Sequence, residues 1–188
     1  MKIAYVIPGF NESAKQEKYR KITNHLKKKG IMPIEVKIKW KYRTMSDYIN
    51  QFLKIYQNFD NKNSLIIGFS FGAMVAFIAS QKIMPKKLIL CSLSPYFNED
   101  LKKLRKGWKK YVGKRRVKDL NNYSCNVLSK KIDCETILLV GDKEDKFIQK
   151  RVIKVGNKIK RGKVYFIKNA GHDIANKNYL KELLKHIK

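Results

Sequence analysis

The chain has 188 residues, 44% apolar and 11% aromatic, a globular composition that excludes a disordered or low-complexity protein. That length allows one domain with a real hydrophobic core and little room for a second. Its 43 Lys and Arg stand against 15 Asp and Glu, a formal net charge of +28, so weak association with nucleic acid, an anionic membrane or another polyanion is expected.

The lysines run through the whole sequence, as a solvated surface would have them. Cys91, Cys125 and Cys134 show neither metal-ligand spacing nor a disulfide framework, so reduced, buried thiols in a cytoplasmic protein are expected. The apolar run Ile3–Ile7 is too short for a signal-peptide core, and no segment approaches the ~18 apolar residues of a membrane span.

In chain order, Lys2–Ile7 reads as a buried strand. Glu12–Lys29 follows as a helix, with Tyr19, Ile22 and Leu26 on one stripe and Gly30 as its stop. Pro33–Trp40 alternates apolar and polar residues like a half-covered edge strand. Ser46 is placed to cap a helix that turns Ile49, Phe52, Leu53 and Tyr56 inward. Leu65–Gly68 is the third strand, and Phe71–Gln81 is a helix apolar nearly all round. Lys87–Cys91, Glu135–Val140 and Lys163–Lys168 read as strands four to six. Helices are expected over Lys146–Lys160 and Asn178–Lys188. Strands alternating with helices imply right-handed crossovers and a mostly parallel sheet of about six strands in a three-layer α/β/α fold.

Only Ser92–Asp133 breaks the rhythm, an interval too long for a plain loop. Within it Asn98 is a good helix cap, and Leu101, Leu104, Trp108, Tyr111 and Val112 form one apolar stripe ending at Gly113. Ten basic residues and no acidic one occupy 102–118. The reading is a lid-like helical insertion over about 94–130 within a single domain spanning 1–188. A basic face for anionic lipid or a polyanion is the alternative use of that stretch. Among its charges, the Lys114-Arg115-Arg116 cluster suits a carboxylate or phosphate of the substrate, because Arg binds such groups bidentately.

Two glycines fence a serine in Gly68-Phe69-Ser70-Phe71-Gly72, the pattern G-x-S-x-G, set between a strand and a helix. Such a serine sits on a turn so sharp that glycine is needed on either side. The turn lifts the hydroxyl above the sheet and leaves the next N–H at a helix start, where it can stabilise an oxyanion. A serine needs a base, itself oriented by a carboxylate. His25 and His186 lie on amphipathic helices among lysines and read as surface residues. His172 lies in the loop after the sixth strand, and Asp142, Glu144 and Asp145 follow the fifth. The order serine, acid, histidine, each past the carboxyl end of a parallel strand, is that of a site on an open α/β sheet.

On these residues the sequence resembles the α/β-hydrolase family: PGF after the first strand, GFSFG at the elbow, GDKEDKFI after the fifth strand and AGHD before the last helix. The resemblance implies a minimal version of that fold, without the first antiparallel hairpin. It implies Ser70 as nucleophile and His172 as general base and then acid. For the orienting carboxylate, Asp145-Lys146-Phe147-Ile148 fits the family's form best, then Asp142, then Glu144. Phe10 and Phe71 are the implied main-chain oxyanion donors. Phe69, Tyr96 and Phe97, with Phe10 and Phe71, would surround the serine and favour an acyl or aryl ester. The implied reaction is hydrolysis of a small-molecule carboxylic ester or thioester through an acyl-enzyme, with an amidase or peptidase as a variant. No metal or organic cofactor is implied. The rival from another class is a non-catalytic basic module on the same fold, binding RNA, an anionic membrane or another polyanion.

Overall fold

The computed structural model describes residues 2–61, 63–104 and 106–188, with the backbone alone at Lys106, Lys109 and Tyr111. Six strands form one sheet in the order β2-β1-β3-β4-β5-β6, and every pairing is parallel. They are β1 (Ile3–Ile7), β2 (Met32–Glu35), β3 (Ser64–Phe69), β4 (Lys87–Cys91), β5 (Glu135–Gly141) and β6 (Gly162–Ile167). The helices of the main frame are α1 (Glu17–Lys28), α2 (Met45–Tyr56), α3 (Phe71–Ile83), α8 (Lys146–Gly156) and α9 (Lys177–Lys185). Between β4 and β5 lie α4 (Asn98–Leu101), α5 (Lys106–Val112), α6 (Lys114–Leu120) and α7 (Cys125–Lys130).

The central strands are apolar without interruption because both faces are covered. Along β1, Ile3, Tyr5 and Ile7 enter one core while Ala4 and Val6 enter the other. The first core packs against α2, α3 and α8, and the second against Tyr19, Ile22 and Leu26 of α1 and Tyr179 and Leu183 of α9. Helix α3 lies deepest, with every residue from Phe71 to Ser80 buried, which is why its sequence lacks a polar face. Removing a ring such as Phe77 from this layer costs about 3–5 kcal/mol by the usual large-to-small rule.

The chain leaves β1 toward β2 on one side and returns to β3 on the other. That reversal opens a crevice at the carboxyl ends of β1 and β3, where ligands of open sheets bind.

Three local expectations are corrected. The edge strand stops at Glu35 instead of running to Trp40. It has a single neighbour, β1, and the last bond of that ladder is Val36 N–H to the Val6 carbonyl at 3.0 Å. Helix α2 is capped by Thr44 in a reciprocal box with Asp47. Ser46 instead donates to Asp119, its Oγ 2.5 Å from Oδ1 and its N–H 2.9 Å from Oδ2. The helix expected from Asn98 to Val112 is broken after Leu101. There the Asp100 carboxylate accepts from Phe97 N–H and turns inward to Arg151. Gly113, at φ +88°, does end α5. Leu101 and Val112 are buried and Leu104 and Trp108 half-buried against the first core; the Tyr111 side chain lies outside the described residues.

His25 and His186 are partly exposed, and Glu182 sits 3.2 Å from His186 Nε2. Cys91 and Cys125 are buried and Cys134 half-buried, all as free thiols. Burial pushes the Cys125 thiol up to about 12 and that of Cys91 further, so neither is a nucleophile at neutral pH. Among the described residues, no helix is long and apolar enough to cross a membrane.

Candidate active site

Ser70 occupies the turn between β3 and α3 with φ 55° and ψ −116°, a conformation side-chain-bearing residues rarely adopt. Both flanking glycines have a steric reason. A Cβ on Gly68 would lie 2.4 Å from the Gly72 carbonyl oxygen, and one on Gly72 would lie 2.3 Å from that of Pro8. The elbow therefore fits only against a bare backbone, with the loop after β1 pressed onto the start of α3.

That first loop is held from beneath. Gly9 N–H donates to the Tyr19 hydroxyl at 2.9 Å and to Glu12 Oε2 at 3.2 Å. Glu12 also contacts Tyr19 Oη and Lys18 Nζ, and Trp40 Nε1 donates to the Glu12 carbonyl at 3.1 Å. These bonds consume the Gly9 donor. The N–H groups of Phe10 and Phe71, by contrast, donate to no other group of the chain among the described residues. Both rings pack together with centroids 5.2 Å apart, and both residues line the cavity above Ser70.

Ser70 Oγ lies 3.0 Å from His172 Nε2, and His172 Nδ1 lies 2.8 Å from Glu144 Oε2. An ionised carboxylate only accepts, so Nδ1 carries the ring proton and Nε2 is free to accept from Ser70. The acid meeting the imidazole is thus Glu144, the least favoured of the three candidates. Its side chain has 0% exposure, and its other oxygen accepts from Ser92 Oγ at 2.6 Å and Gly141 N–H at 2.9 Å. Tyr179 Oη sits 2.8 Å from Ser92 Oγ and donates to the Leu139 carbonyl at 2.9 Å. Gln149 Nε2 ties the turn from within, donating to the carbonyls of Asp142 and Glu144 at 3.0 and 2.9 Å.

Asp145 is not in this chain of bonds. It is the N-cap of α8, exposed, with Oδ1 accepting from Phe147 N–H at 2.7 Å. The turn closed by Glu144 N–H to the Gly141 carbonyl points the residue before the cap into the sheet crevice, and the longer Glu side chain spans to the ring. The Asp142 Oδ1 atom is buried with no partner among the described residues.

The cavity over Ser70 and His172 encloses about 290 Å³ and is walled by Phe10, Phe71, Tyr96, Trp108, Val112 and Ile148, with Ser94 and Arg116 as polar members. Tyr96 and Trp108 stack at 4.1 Å and 19°. That pair and Ile148 also bound a neighbouring cavity of about 540 Å³, which Pro95, Leu104 and Phe147 help to line. Of the expected lining residues, Tyr96 is present and two are not. Phe69 lies against the His172 ring at 5.1 Å, buried under the imidazole. Phe97 is fully buried, edge-on to Phe77; following the capping turn of α4, it faces the first core.

Ser94 was not singled out by the sequence. It is buried, and its Oγ stands 3.1 Å from that of Ser70. The signal available was its place, three residues past β4 on the same sheet edge as the other loops.

A hydroxyl bonded to an imidazole whose far nitrogen meets a buried carboxylate can lose its proton as it attacks an electrophile. Two unengaged N–H groups beside it can receive the charge that develops. Among the described residues, no cluster of three or more His, Cys, Asp or Glu side chains is arranged to hold a metal ion.

No family model and no curated protein matches the chain. Among solved structures it is similar to Est1E from Butyrivibrio proteoclasticus, with a TM-score of 0.84 at 14% identity, covering 99% of this chain and 85% of that one. It is also similar to alpha/beta hydrolase domain-containing protein 10 from mouse, at TM-score 0.79 and 15% identity over 98% of this chain and 87% of that one. For an esterase from Pyrococcus furiosus the values are 0.72 and 16%, over 99% and 80%. With its six parallel strands, its strand-to-helix elbow and these structural relatives, the chain has the α/β-hydrolase fold.

Proposed function

We propose that the protein is a serine hydrolase acting on a carboxylic ester or thioester, with Ser70, His172 and Glu144 as its triad. The observation that carries this reading is the unbroken chain of bonds from Ser70 Oγ through His172 to Glu144, at 3.0 and 2.8 Å. Ser70 Oγ attacks the carbonyl carbon as its proton passes to His172 Nε2. Glu144 holds the ring and stabilises the imidazolium, while the Phe10 and Phe71 N–H groups receive the oxyanion. Collapse expels the alcohol or thiol, which takes the proton from His172. Water then attacks the acyl-enzyme as it gives a proton to His172, and collapse releases the carboxylic acid while His172 returns that proton to Ser70 Oγ. The aromatic walls favour an ester with an apolar or aryl portion over a sugar-like one.

Intact-mass analysis after treatment with a small fluorophosphonate tests this directly. One adduct mapped to Ser70, absent after heat denaturation and in His172→Ala, is the expected result. An unlabelled folded protein contradicts the proposal.

A second reading, polyanion binding, draws on the opposite edge of the sheet. There a cavity of about 580 Å³ is lined by Lys2, Lys86, Lys87, Lys163, Lys185 and Lys188, with Glu135 paired to Lys87 at 2.9 Å. Binding of that kind would fall steeply with salt and ignore Ser70→Ala.

A further inference from the structure

Among the described residues, Arg116 is the one arginine lining the cavity over Ser70. Three of its donors are engaged, all with main-chain carbonyls: Nε with Arg43 at 2.7 Å, Nη2 with Trp40 at 3.1 Å and Nη1 with Val112 at 3.3 Å. The Tyr48 hydroxyl stands 2.8 Å from each of the same Trp40 and Arg43 carbonyls and can give its one proton to either. The acceptors are therefore fixed from the core side, and the guanidinium lies 5.4 Å over the Phe10 ring. Carbonyl dipoles orient the group without cancelling its charge. No carboxylate pairs with it among the described residues; its neighbour Arg115, by contrast, is 74% exposed and faces Asp47.

A guanidinium has five N–H donors; beyond the three carbonyls and the nearby Tyr48 hydroxyl, at least one remains for a ligand. An oriented cation with a spare donor in a mostly aromatic and aliphatic cavity penalises a wholly apolar ligand and favours one bearing an anion, which Arg can grip in a fixed geometry. Because the acceptors are already ordered, little further ordering is needed when the anion arrives.

Resting on the hydrolase reading, we propose that Arg116 is a specificity-determining residue and that the substrate is an ester or thioester carrying a carboxylate, which the Arg116 guanidinium binds while Ser70 attacks the carbonyl.

The test uses two matched pairs of esters that differ only in that charge. In one pair the carboxylate is on the acyl side: mono-4-nitrophenyl glutarate against its methyl ester. In the other it is on the alcohol side: 4-acetoxybenzoate against methyl 4-acetoxybenzoate. In the wild-type protein the anionic member of one pair is expected to have the higher kcat/KM, by about tenfold or more for a charge-assisted bond. Arg116→Met is expected to bring that ratio close to one, and Arg116→Lys to keep part of it. Because the readout is a ratio within each protein, an overall loss of activity in a variant cancels. Equal cleavage of both members of both pairs by the wild type overturns the proposal and leaves the hydrolase reading standing. A preference that survives Arg116→Met also overturns it, since the general positive field would then be the cause. If folded protein cleaves none of the four, the hydrolase reading falls and this proposal with it.

Discussion

The two regions that meet over Ser70 are held by different means. The loops at the carboxyl ends of β1, β3, β4, β5 and β6 are fixed near the strand ends at the level of the backbone. A Cβ on Gly72 or on Gly141 would lie 2.3 and 2.1 Å from a carbonyl oxygen, and Ser70 and Ser92 both sit at positive φ. The inserted helices α4–α7 are fixed by side chains. Asp100 meets Arg151 of α8 where both are buried. Glu99 accepts from Ser124 Oγ at 2.6 Å and from the N–H groups of Asn126 and Cys125 at 3.0 and 3.1 Å. The first kind of constraint resists almost any substitution, while the second depends on charge and therefore on pH. A chemical centre needs the first; a wall around the cavity over Ser70 can be built with the second.

Ser70→Ala should separate the two regions most sharply, removing ester turnover by roughly 10⁴-fold or more while the thermal midpoint holds or rises. Only the hydroxyl's contacts with His172 and Ser94 are lost, while the backbone strain at φ 55° is common to Ser and Ala. Gly72→Ala goes the other way. With a Cβ 2.3 Å from the Pro8 oxygen, the loop after β1 must move, and denaturant titration should show a loss above about 3 kcal/mol. Breaking the insertion's buried pair with Asp100→Ala should cost about 3–5 kcal/mol, because Arg151 is left charged and unpaired. Urea midpoints measure it, and a loss under 1 kcal/mol would mean that α4 is not tied to α8 through this pair.

The smallest expected effect concerns Glu99. Burial opposes its charge, but the Ser124 hydroxyl and the Asn126 and Cys125 N–H groups outweigh burial and hold the carboxyl down to about 2. A carboxyl held below its ordinary value of 4.5 stabilises the fold fully above that pH, and the contribution is lost as pH falls toward 2. Glu99→Gln should therefore be less stable than wild type at pH 7 and should lose less stability between pH 4.5 and 2. Parallel acid limbs in the two proteins would contradict this.

How far the sequence could be read follows from the same contrast. The elbow was legible because its glycines answer a backbone demand that no other residue meets, and the demand is visible as G-x-S-x-G between a strand and a helix. His172 was legible by elimination, since His25 sits on α1 and His186 caps the end of α9. The choice of acid was not. Asp142, Glu144 and Asp145 share one turn, and which of them faces the ring depends on which is taken as the cap of α8. Phe97 and Tyr96 are adjacent aromatics, yet only the turn into α4 decides that one enters the core and the other the cavity. The break after Leu101 depends on Arg151, fifty residues away in sequence, and no local pattern announces it.

The central claim is that Ser70 is driven by His172 held on Glu144, and the pair Glu144→Gln and Asp145→Asn tests it most directly. Turnover of 4-nitrophenyl butyrate by each variant, beside wild type, is the measurement. The account predicts that Glu144→Gln lowers kcat by about 10³–10⁴-fold, since an amide can present its N–H₂ to Nδ1 and favour the wrong tautomer. Asp145→Asn should change kcat by less than about threefold, because Asn caps a helix nearly as well as Asp. The reverse ranking, or full activity in Glu144→Gln, would contradict it.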